Sequence, residues 1–117
     1  MIRIVGIALL MLGSAAQAGP QIAATTEESD ARCLAVFSAA AASEDKAAQE
    51  GGKVGAIYFA GKLRGRNPSV DFEAVLRHAL PSLEANPTQE SNRCVAELQS
   101  MGAAMSAAGA ALQKKSN

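Results

Sequence analysis

Two cysteines, Cys33 and Cys94, and a single histidine, His78, are the side chains of this chain best suited to nucleophilic, redox or soft-metal chemistry. The cysteines lie too far apart for a CxxC redox or zinc motif, and in an oxidising compartment their default is a structural disulfide. The chain-entropy model assigns about 4 kcal/mol to closing a loop of about 60 residues. Any Ser-His-acid triad or multi-histidine metal site would have to use His78. Asp71, seven positions earlier, falls about 10 Å away along a helix, beyond hydrogen-bond reach. Ser82 follows by four, but Pro81 is expected to disrupt the turn that would bring it close. A surface histidine is the favoured reading. The adjacent carboxylates Glu27-Glu28 and Glu44-Asp45 diverge on a helix and make no glycosidase pair. Glu73 and Arg77, at i and i+4, make an ordinary surface ion pair. No catalytic residues, no metal ligands and no cofactor follow from these residues, and the expectation is a non-enzyme.

The best candidate for recognition is the stretch from Tyr58 to Arg66. It joins the sole tyrosine and an adjacent Phe59 to three cations, Lys62, Arg64 and Arg66, at a helix end. Aromatics at helical spacing usually belong to a core, and cations at a helix C-terminus offset its dipole. The alternative is a surface, Tyr58 with Lys62, Arg64 and Arg66, that binds an anionic group or an acidic protein.

The start of the chain bears on its compartment. Arg3, the apolar run Ile4 to Leu12, and the small-x-small pattern Ala16-Gln17-Ala18 have the form of a secretory signal. The run is about nine residues long, against roughly 20 for a membrane span. Cleavage between Ala18 and Gly19 is therefore expected, with export to the periplasm or beyond. No cysteine follows the cut to carry a lipid, and no later segment approaches spanning length, so the processed chain is expected to lack a transmembrane segment.

Residues 19–117 are enough for one domain. Alanine supplies most of its apolar count, which favours helix strongly but buries little area. Across the whole chain, eleven Lys and Arg balance eleven Asp and Glu. A near-neutral balance argues against a nucleic-acid or membrane-surface binder. The charges are nevertheless segregated. Residues 19–50 are mostly acidic and residues 51–78 mostly basic, so the first and middle segments should attract one another within the fold.

Four helices are expected to position these side chains. After a flexible stretch over 19–26, the first begins near Thr25-Thr26, where Thr25 and Glu28 have capping-box spacing. It carries Cys33, Leu34, Phe37, Ala40 and Ala41 on its apolar side and ends or bends at Ser43-Glu44-Asp45. The second runs from about Asp45 to Leu63 and carries the ladders Ala47-Gly51-Gly55 and Ala48-Gly52-Ala56-Ala60. These allow either close packing or a bend at Gly51-Gly52. Gly61 to Pro68 predicts its end. The third starts near Pro68 or Ser69, is capped by Asn67 or Ser69, and is kinked or ended by Pro81. The last spans about Pro87 to Lys114. Its residues Cys94, Leu98, Met101, Met105, Ala108 and Leu112 alternate by four and three as in a heptad seam, which makes this helix available for oligomerisation. The fold class is all-α, a small bundle of about four helices stapled by one disulfide, with a cleaved leader at 1–18 and a single helical domain over 27–117.

The segment Tyr58-Phe59-Ala60-Gly61-Lys62-Leu63-Arg64-Gly65-Arg66-Asn67-Pro68, followed by Asp71-Phe72-Glu73 and Arg93-Cys94, resembles a pattern in uncharacterised small exported bacterial proteins. The layout of the chain is also loosely similar to the periplasmic acid-stress chaperones of the HdeA type: a signal peptide, about one hundred helical residues, Cys33, an aromatic separated by two residues from Gly-Lys (Tyr58, Gly61 and Lys62), and Cys94. That second resemblance implies a single-disulfide helical domain that holds unfolding clients. The expected role is therefore protein binding of a stress-related, chaperone-like kind. The alternative is an inhibitor or immunity-type partner that uses the Lys62 to Arg66 surface.

Overall fold

The computed structural model describes residues 26–116. The leader, the Ala18-Gly19 cut and the stretch up to residue 25, including the Thr25 half of the capping box, lie outside the described residues. The described chain folds as four helices: α1 (Thr26–Ala41), α2 (Lys46–Arg66), α3 (Phe72–Ala85) and α4 (Pro87–Lys115).

The first turn of α1 holds Glu27 and Glu28, where the helix dipole favours negative charge. Asp45 caps α2 by accepting from the Ala48 backbone N–H. That helix runs through Gly61 and Gly65 to Arg66, past the end expected at Leu63. Both glycines are exposed there and compatible with helix, and the break waits for Asn67, which disfavours the helical region before Pro68. Asn67 does not cap α3. Its side chain accepts from the Ser69 N–H and its carbonyl from the Val70 N–H, which closes a separate turn. Asp71 is the cap, accepting from the Ala74 N–H, so α3 begins at Phe72 and not near Pro68 or Ser69. Pro81 is accommodated inside α3, which continues to Ala85. Pro87 occupies the start of α4, where a missing N–H costs nothing.

The core is small. Cys33, Leu34 and Phe37 of α1 meet Phe59 and Leu63 of α2 and Cys94 of α4, with Val70, Phe72, Leu76 and Leu98 packed against them. The Phe37 and Phe59 rings stack at 5.6 Å between centroids, and Tyr58 meets Phe59 edge-on at 4.8 Å. Cys33 and Cys94 are joined by a disulfide that ties α1 to α4 across 61 positions of sequence, with both residues buried.

The glycine ladder of α2 serves close packing. A methyl group on Gly52 would overlap the backbone of Ala40 and Ala41, and one on Gly55 would overlap the Phe37 ring. Gly51 faces open space. Alanine could replace Gly51 but neither Gly52 nor Gly55 without moving α1.

Candidate binding face

The Tyr58 to Arg66 stretch is built into the fold more than it is offered to solvent. α1 brings Asp30 against it, and this carboxylate is only 2 % exposed. Lys62 Nζ donates to Asp30 Oδ1 at 2.8 Å, and Arg66 Nη1 donates to Asp30 Oδ2 at 2.5 Å. Lys62 also donates to Glu97 of α4, whose carboxylate accepts from the Tyr58 hydroxyl at 3.4 Å. One lysine thus bridges three helices. Burial alone would lower the Lys62 pKa, but the hydrogen bonds and charges of Asp30 and Glu97 outweigh it and hold the pKa above the ordinary lysine value. The Lys62 ammonium also lies over the Tyr58 and Phe59 rings, at 5.5 and 5.3 Å from their centroids. Arg64 points away and stacks 5.3 Å from the Phe72 ring. Lys62 and Arg66 therefore turn onto an internal acid, while Arg64 remains on an exposed rim.

Asp30 did not stand out in the sequence as a functional residue. The available signal was the acidic first segment opposed to a basic middle segment, and the structure realises that attraction through this one carboxylate. A second ionic group flanks the disulfide. Arg93 donates to Glu90 at 2.8 Å and to the Ser29 carbonyl at 2.9 Å, and Arg32 lies 3.3 Å from Glu90.

A cleft of about 100 Å³ separates α1 from α3 and is lined by Glu28, Ala31, Arg32, His78, Ala79 and Ser82. Because α3 continues through Pro81, Ser82 and His78 share a helix face, contrary to the expected disruption. His78 Nε2 stands 3.8 Å from Glu28 Oε1, beyond the hydrogen-bond reach a base and its orienting acid need. The imidazole is largely exposed. Among the described residues, no cluster of three or more His, Cys, Asp or Glu is placed to hold a metal ion, and no helix is long and apolar enough to cross a membrane.

The remaining surface of note is the second half of α4. Every residue from Gln99 to Ser116 is exposed, so about 27 Å of helix extends past the last contacts of Glu97 and Leu98. Alanine favours helix in this segment, and Lys114 and Lys115 complement its C-terminal dipole. The seam inferred from the heptad spacing is uncovered here: Met105 is 64 % and Leu112 is 67 % exposed, with Met101 in line. No Asp, Glu, Lys or Arg occurs between Glu97 and Lys114. An exposed helix face of this length ordinarily carries charge, and this one presents methionine, leucine, alanine and glycine. Comparison with family models, curated proteins and solved structures returned no match.

Proposed function

We propose that this is an exported, non-enzymatic helical protein that acts by holding another protein against the second half of α4. The observation that carries this reading is the uncovered, charge-free seam of Met101, Met105 and Leu112 on a helix whose first half is anchored by the Cys33–Cys94 disulfide. Methionine is flexible and polarisable, and a methionine-bearing face adapts to varied apolar partners. That suits a chaperone-like role in which exposed segments of an unfolding client are covered. The inhibitor-type alternative based on Lys62 to Arg66 has less support, because Lys62 and Arg66 are bonded to Asp30.

The test is light scattering by a client such as citrate synthase diluted from urea, with the oxidised protein added in excess. The wild type should suppress aggregation. Met105→Glu with Leu112→Glu should abolish the effect without lowering the melting temperature, since both positions are exposed. No suppression by the wild type, or equal suppression by the variant, would refute the reading. Export predicts that protein recovered from the periplasmic fraction begins at Gly19.

A further inference from the structure

Gly102 and Gly109 pose a problem that the single chain does not resolve. Both lie in the interior of the exposed half of α4, and nothing lies within 4 Å of where a Cβ would stand at either position. Glycine is among the least favourable residues in a helix interior. Unlike Gly52 and Gly55, these two make room for nothing in their own chain. They are seven residues apart, and each follows directly on a seam residue, Met101 or Ala108. On the other flank of the seam, again seven apart, are Ala104 and Ala111. A seam bordered by glycine on one side and alanine on the other is suited to another helix at close range.

The charges indicate which helix and in which direction. Glu97 stands at the root of the exposed segment and Lys114 and Lys115 at its tip, with no charge between. We propose that the occupant is a second copy of this chain, whose α4 lies antiparallel along the same segment about a twofold axis between Ser106 and Ala107. This rests on the reading of the α4 seam as a binding face. In that register Met101 of each copy faces Leu112 of the other, and Met105 faces Ala108, so the seam closes on apolar side chains alone. Gly102 comes opposite Gly109 of the second copy, and Ala104 opposite Ala111. Lys115, three residues beyond Leu112, continues the seam. Its aliphatic stem reaches the solvent-facing part of Leu98 of the second copy while its ammonium approaches the outer side of the Glu97 carboxylate, which also accepts from Lys62 and Tyr58 within its own chain. The two helix dipoles oppose one another. Parallel pairing would instead set Lys114 and Lys115 beside their own counterparts and Glu97 beside Glu97. A client held on the same seam competes with the second copy, so dissociation exposes the holding face.

The test is sedimentation equilibrium of the oxidised protein from micromolar to submillimolar concentration. A nitroxide is also placed on Lys114→Cys, whose thiol is the sole free one because Cys33 and Cys94 are paired. The expected results are a reversible dimer and a spin–spin distance along the axis of about 22 Å. Gly102→Leu with Gly109→Leu should weaken the dimer by about tenfold or more through overpacking, with helix content and melting temperature not reduced at dilutions where the wild type is monomeric. A monomer throughout the range, an unchanged dimer in the leucine variant, or a Lys114 separation near the roughly 10 Å spacing of side-by-side helices would overturn the proposal. A monomer whose client holding is still lost in Met105→Glu with Leu112→Glu refutes self-pairing alone. A dimer that holds no client refutes the holding function alone.

Discussion

Asp30 on α1 and Lys62 on α2 are joined by a 2.8 Å hydrogen-bonded ion pair in which the acid is almost wholly buried and the base is about one quarter exposed. The asymmetry matters energetically. A carboxylate removed from water needs its cations more than the cations, nearer to solvent, need it.

Removing the cations should therefore cost more than removing the acid. Lys62→Met with Arg66→Met leaves a buried, unpaired carboxylate and should destabilise the domain by about 3–5 kcal/mol. Asp30→Ala leaves cations that can turn to water and should cost about 1.5–3 kcal/mol. Urea unfolding of both variants checks the order, and equal losses would contradict it.

The raised Lys62 pKa fixes the sign of one pH dependence. A base whose folded pKa exceeds its unfolded value contributes its full stabilisation below the unfolded pKa and loses it as pH rises through the folded pKa. The contribution of Lys62 should thus be complete at neutral pH and decline only above lysine's ordinary value of 10.5. The melting temperatures of the wild type and Lys62→Met should converge over that alkaline interval. A gap that persists to still higher pH would exclude the ion pair as its source.

The α2 glycines should divide into two groups. Gly52→Ala and Gly55→Ala place a methyl into the α1 backbone and the Phe37 ring, and each should destabilise by about 1–3 kcal/mol. Gly51→Ala and Gly61→Ala meet open space and should stabilise by about 0.5–1 kcal/mol. Thermal denaturation of the four single variants distinguishes the groups.

Loss of the disulfide should weaken the whole bundle, because Cys33 and Cys94 are also core residues. Cys33→Ala with Cys94→Ala removes a constraint across 61 positions, for a loss of about 4 kcal/mol in the chain-entropy model. With so few large buried side chains, that is a large share of a small domain's stability. Near-ultraviolet circular dichroism and urea titration of the variant check this, and an unchanged midpoint would refute it.

Four helices, the proline start of α4, the apolar stripes bearing both cysteines, and the seam on the last helix are legible in the order of residues alone. These depend on capping, periodicity and proline geometry, which act within about one turn of a residue. The boundaries that moved, at Leu63, at Pro68 and across Pro81, are places where exposed glycine or proline is compatible with more than one local outcome. Where long side chains end depends instead on the packing of the helices. Lys62 and Arg66, legible as a basic surface, turned onto Asp30, an acid more than thirty positions away that carried no local mark. Tertiary packing also separated Gly52 and Gly55, which admit another helix, from Gly102 and Gly109, which face open space. Partner choice between distant segments depends on which faces the packed core turns toward each other, and no spacing along the chain encodes that.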